Sequence, residues 1–168
     1  GSACYPAGTR LHLFDVAAWR MQELALEGRG YVSLLAFSPD RSNLALVYNT
    51  KEHTRLIVVD TARAALVARR ILDYQPEWLG YALGGEALAV YGVPPGADPG
   101  VAQPPAPRLQ ILEPATLQPR WGLRLAGLLS GEWCLENCAA SHELRRLVHW
   151  KPGLALAPHG RRLYILHA

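Results

Sequence analysis

The chain has 168 residues, half of them apolar and 18% charged, which excludes a disordered chain and suits one domain with a sizeable core. Net charge is only +3, and basic residues go no further than dipeptides such as Arg145-Arg146 and Arg161-Arg162, so no nucleic-acid surface is expected. No stretch approaches the roughly 20 apolar residues of a membrane span.

The basic residues are almost all Arg, with Lys only at 51 and 151, a bias expected of a GC-rich bacterial genome. Residues 1–9 read as a cloning scar (Gly1-Ser2) and a tail, with the folded domain expected over 10–168. Any membrane attachment is expected only through an anchor removed upstream.

Along the chain, Leu11–Asp15 alternates as a strand, Val16–Trp19 turns, and Met21–Leu26 forms a second strand. Tyr31–Leu72 then holds four short apolar runs separated by turn residues. Leu34–Phe37 and Leu44–Tyr48 flank Ser38-Pro39-Asp40, a hairpin signature. Leu56–Asp60 and Leu66–Leu72 repeat the opening pair, with an acid again closing the first strand.

Both halves return. Trp78–Tyr81 and Ala87–Tyr91 flank Gly84-Gly85; Leu109–Glu113 and Arg120–Leu125 flank Pro114-Ala115-Thr116; Gly153–Leu156 and Arg162–Leu166 flank Pro158-His159-Gly160. The three acids Asp15, Asp60 and Glu113 are placed to accept backbone N–H bonds of the turns that follow them. The short strands and their period near two disfavour helical bundles. A helix is expected, if anywhere, around Glu132–Leu147, the least patterned segment.

With strands a, b, c and d, the chain reads c-d, a-b-c-d, a-b-c-d, a-b. Four strands per repeat of 40–50 residues is the pattern of a β-propeller blade. The run LLAFSPDRSNLALVYN, followed by TRLIVVDTARAALV, resembles the blades of bacterial YVTN-type and WD-repeat propellers, over about 150 residues. The fold expected is therefore all-β, with about three blades' worth of strands. The chain's two ends are complementary half-blades, so the expected partner is either the remainder of a larger propeller or a second copy closing a six-bladed ring. Open outer strands would otherwise be exposed edges.

Function is expected where long connections sit on a rigid scaffold. In a propeller the a–b and c–d turns share one face, and the b–c and d–a connections the other. Val93–Arg108, with six prolines, Ala126–His149 and Asn49–Arg55 all belong to the second. The binding residues expected there are His53, Arg55, Tyr74, Trp78, Arg108, Trp133, His142 and Trp150.

Cys134, Cys138 and His142 would share a face of a helix with donors suited to zinc, but a fourth ligand and any CxxC pair are missing, so no metal and no cofactor is expected. The close pair Cys134 and Cys138 reads as a disulfide in an exported protein, or as inert thiols in a reducing compartment. Ser130, Cys134, His142 and Glu143 offer groups for nucleophilic chemistry without a distinctive spacing, so no catalytic residue is assigned. The leading expectation is a non-enzymatic, extracytoplasmic binding or sensor module with a protein or small-ligand partner, as the resemblance implies. The alternatives are a propeller-type hydrolase or lyase with its site on other blades, and a structural half-propeller.

Overall fold

The computed structural model describes residues 8–94, 106–128, 130–136 and 146–166. Strands β1 (Thr9–Asp15) and β2 (Arg20–Leu26) form an antiparallel pair. A first complete blade follows, β3 (Gly30–Phe37), β4 (Asn43–Thr50), β5 (Thr54–Asp60) and β6 (Ala65–Leu72), hydrogen-bonded in chain order. The second has β7 (Gln75–Ala82), β8 (Ala87–Val93), β9 (Arg108–Leu112) and β10 (Pro119–Arg124), again in chain order. Two further pairs are β11 (Gly131–Glu136) with β12 (Arg146–Trp150), and β13 (Gly153–Leu156) with β14 (Leu163–Leu166). The order c-d, a-b-c-d, a-b-c-d, a-b is therefore the observed one, with β11–β12 inserted before its last member.

For the helix expected around Glu132–Leu147, the insertion is a correction at the described ends, where 132–136 and 146–147 are strand; residues 137–145 lie outside the described residues. Trp133 pairs with Val148 and Cys134 with Leu147 across an antiparallel ladder. Trp and Val are residue types that favour strands.

The middle strands are apolar on both sides because a sheet covers each side. In β4, Leu44, Leu46 and Tyr48 join Ile57 and Val59 of β5 in a core closed by Leu11, Leu13 and Leu24 of the first pair. The alternate residues Ala45, Val47, Leu56 and Val58 enter a second core with Leu79, Tyr81, Leu88, Val90 and Leu112 of the next blade. Burying each of these larger side chains stabilises the fold by about 1.5–3 kcal/mol. A third cluster, Ala82, Ala87 and Ala89 with Trp78 and Ile111, is covered by Leu156 of β13. Sheets thus stack face to face, with the a strands as neighbours, β3 beside β7 and β7 beside β13.

The turns repeat as faithfully as the strands. Asp15 Oδ1 accepts the N–H groups of Ala17 and Ala18 at 3.0 and 2.9 Å; Asp60 Oδ1 does the same for Ala62 and Arg63, both at 2.9 Å. The third acid departs from this pattern. Glu113 sends its carboxylate to Arg120, and its turn is closed by the backbone, Leu117 N–H reaching Glu113 C=O at 2.7 Å. The extra methylene of Glu carries the carboxylate past the amides that Asp meets. All three turns still place a left-handed residue four positions after the acid: Trp19, Ala64 and Leu117 have φ of 51, 49 and 57°.

Candidate ligand-binding face

Antiparallel pairing places the b–c connection at 51–53 and the described ends of the second b–c connection, at 94 and 106–107, on one face with the d–a connections at 27–29, 73–74 and 125–128. The tight a–b and c–d turns occupy the other.

On the connection-bearing face, Tyr74 and Arg108 come together. Tyr74 is buried at the entry to β7, and its hydroxyl donates to Gln110 Oε1 at 2.9 Å. The Arg108 guanidinium lies 5.6 Å from the Tyr74 ring centroid and 3.2 Å from both carboxylate oxygens of Asp73. A cation on an aromatic face with a carboxylate behind it is held in one orientation. Burial pushes the Tyr74 phenol well above its ordinary range; the Arg70 and Arg108 charges oppose the shift and Asp73 adds to it. Tyr74 is therefore a neutral hydrogen-bond donor, supporting Arg108 from beneath.

Arg55 is half-buried and donates to the Glu27 carbonyl at 3.0 Å, with the Glu27 carboxylate 3.7 Å away. Arg69 pairs with the same carboxylate. The Arg69 hydrogen bond and charge hold the Glu27 carboxyl below its usual range; burial opposes this and the charge of Arg55 adds a lesser lowering. This trio ties the β2–β3 connection to the outer strands of the first complete blade. His53 is exposed at the tip of the β4–β5 turn, where Thr50 Oγ1 accepts its N–H at 3.0 Å.

Trp78 lies elsewhere. Its ring runs along its own strand over Gly80, where an added Cβ would stand 2.6 Å from the indole and 3.1 Å from Leu156. It packs between blades instead of presenting itself to a ligand. Trp133 falls in β11, and Trp150 ends β12 opposite Gly131. His142 and Cys138 lie outside the described residues. Because Cys134 stands in a strand, the helical i, i+4, i+8 face considered for zinc does not exist at its position.

Two positions that sequence reasoning did not pair are the bulges of the inner strands. The ladder slips between Val32 and Leu34 in β3, and between Pro76 and Trp78 in β7. This leaves Ser33 and Glu77 as equivalent extra residues, each re-aimed near the connection-bearing face. Ser33 Oγ accepts from Asn49 Nδ2 at 2.8 Å, and Thr54 Oγ1 donates to Asn49 Oδ1 at 2.9 Å. Glu77 is buried and accepts the Ser130 hydroxyl at 2.6 Å. Ser130 is buried too and sits beside Tyr91, whose phenol is raised chiefly by burial, with Ser130 opposing and Glu77 adding. This buried hydrogen bond ties the β10–β11 connection to β7. The available signal was a lone acid, Glu77, inside an otherwise apolar strand.

The opposite face holds a groove of about 970 Å³ between the a–b turns, bordered by Pro39, Tyr81, Glu86, His159 and Arg161. Turn contacts frame it: Leu83 N–H donates to Gly160 C=O at 3.1 Å, and Gly85 packs against Pro39. Burial, with the Asp40 charge adding, pushes the Tyr81 phenol up to about 12.

No protein-family model and no curated protein matches the chain. Solved structures do. Hydrazine synthase of Kuenenia stuttgartiensis superposes with a TM-score of 0.56 at 16% identity, over 97% of this chain and 45% of that one. The β-propeller domain of the trilobed protease from Pyrococcus furiosus, described as having an open velcro topology, gives 0.52 at 9% identity, over 95% and 48%. BamB from Moraxella catarrhalis gives 0.41 at 10% identity, over 97% and 56%. The chain spans about half the length of the first two, and the likeness is one of fold: four-stranded propeller blades.

Proposed function

We propose that the chain is a non-enzymatic, extracytoplasmic binding module that meets a protein or small-ligand partner with its connection-bearing face, and that a second copy completes its ring. The observation that supports the binding reading is Arg108, stacked on Tyr74 and braced by Asp73 at the foot of the 94–107 connection. Its guanidinium is oriented before any partner arrives, which reduces the entropy lost on binding. Arg and aromatic side chains in such settings are the usual anchors of recognition surfaces.

The test is a hydrogen-exchange footprint of the chain with a captured partner. Protection at 51–55, 73–75 and 106–110, lost in Arg108→Ala, supports the reading. Protection confined to Leu83–Glu86 and Ala157–Arg162 would move the site to the groove on the opposite face. The compartment rests on the cysteines: thiol titration showing Cys134 and Cys138 oxidised in the native host supports export, and free thiols at both would end that proposal.

A further inference from the structure

Equivalent positions in the two complete blades have opposite fates. Leu79 and Tyr81 of β7 are 7% and 8% exposed, because β3 lies over them. Leu35 and Phe37 hold the same places in β3 and are 62% and 52% exposed. Beside them β1 pairs only with β2, so among the described residues its other edge has no strand partner. What this slot lacks is an a-b hairpin.

The other end of the chain carries one. In β13–β14, Leu154, Leu156, Leu163 and Ile165 are half-buried toward the second complete blade, whereas Ala155, Tyr164 and Leu166 are bare on the reverse side. Its turn copies the two backbone hydrogen bonds of the β3–β4 turn. Ala157 N–H reaches Arg162 C=O as Ser38 N–H reaches Asn43 C=O, and Gly160 N–H reaches Ala157 C=O as Arg41 N–H reaches Ser38 C=O. Within the first complete blade the register of such a hairpin against its c strand is known: Asn43 opposes Asp60, and Val47 opposes Leu56.

We infer that the β13–β14 hairpin of a second copy docks in this slot, with its β14 hydrogen-bonded to that edge of β1 in that same register. This deepens the proposal that a second copy completes the ring. The register sets the partner's Arg162 opposite Asp15, the partner's Tyr164 opposite Leu13 and the partner's Leu166 opposite Leu11. It thereby turns a neutral Asn–Asp pairing into a cation facing an anion. The faces agree as well as the charges. Tyr164 and Leu166 of the arriving hairpin point the same way as Leu11 and Leu13, toward β3 and β4, and Ala155 comes over Leu35 and Phe37. Reciprocally, the bare outer face of β1–β2, with Phe14 and Met21, meets Trp121 and Leu123 of the partner's β10. Those two residues are exposed on the side where strands c and d of a third blade would lie. Two such seams give six blades and leave neither β1 nor β14 as an open edge.

Sedimentation velocity across micromolar concentrations tests this. The expected result is a species of twice the chain mass. Asp15→Arg and Arg162→Glu should each raise the dimer dissociation constant about tenfold or more, and mixing the two variants should restore dimers, because both seams of the mixed pair then join opposite charges. Tyr164→Glu, on the bare face and away from any turn, should dissociate the dimer with unchanged circular dichroism. A monomer at every concentration, or a dimer indifferent to all three changes, overturns the seam; a monomer would assign the slot to further blades of a longer chain. Either outcome leaves the footprint on the connection-bearing face unaffected, so the seam and the binding reading fail separately.

Discussion

The Tyr48 ring lies across Gly30. A Cβ added to Gly30 would stand 2.9 Å from Tyr48 Cζ and 2.0 Å from the Asn49 carbonyl oxygen, and the Tyr48 hydroxyl runs on to donate to Gly28 C=O at 2.7 Å. One blade later the two residues have changed places. Tyr74 occupies the position of Gly30, and Gly92 that of Tyr48, with Tyr74 Cδ2 2.7 Å from where a Gly92 Cβ would be. Each blade thus seats one tyrosine over one glycine near the connection-bearing face, but from opposite strands.

That exchange predicts that Gly30→Ala and Gly92→Ala are far more damaging than their size suggests. Backbone carbonyls stand in the way in both cases, so the strands must separate. A loss of about 2–4 kcal/mol in urea unfolding is expected for each. Tyr48→Phe, which removes only the buried hydroxyl contact, should cost about 1 kcal/mol.

The aspartate turns give a graded series. Asp60→Ala removes an acceptor for two amides and should cost about 1 kcal/mol of stability, by analogy with helix-capping side chains. Glu113→Ala should have little effect, since the backbone closes that turn. Arg41 has φ of 60° where its counterpart Gly160 has 63°, so Arg41→Gly relieves a left-handed side chain and should stabilise by about 0.5 kcal/mol. Thermal denaturation of the three variants reads out all of these.

Gly80→Val is expected to push the Trp78 indole off its strand and away from Leu156. A loss of about 1–3 kcal/mol should come with a red shift of tryptophan emission as the ring meets water. Trp78→Phe should instead keep the packing and lose only the emission.

Glu27 sets an acid limit. Its pKa is lower folded than its ordinary value of 4.5, owing first to Arg69. Its contribution to stability is therefore complete above that value and is lost as pH falls through the lowered one. Urea midpoints should hold steady from neutrality down to pH 4.5 and then fall. In Arg69→Ala the acid-induced fall assigned to Glu27 should shrink, and added salt should weaken the difference between the two proteins, because the carboxylate is exposed.

The blade repeat was legible from residues 9–166 alone. Alternating apolar runs, turn residues and closing acids are local features, and b and c strands read as continuous apolar runs when sheets cover both faces. The strand order and the placing of long connections on one face followed from that pattern. Only the tertiary structure decided the rest, because it depends on what arrives from far along the chain. The segment considered for a helix pairs β11 with β12, since each strand finds its partner in the other. Trp78, expected on the binding face, is drawn into packing between blades beside Leu156, whereas Tyr74 stays on that face beneath Arg108. Glu77 is buried with Ser130, 53 positions later, and Leu35 and Phe37 differ from Leu79 and Tyr81 only in whether an inner strand lies over them.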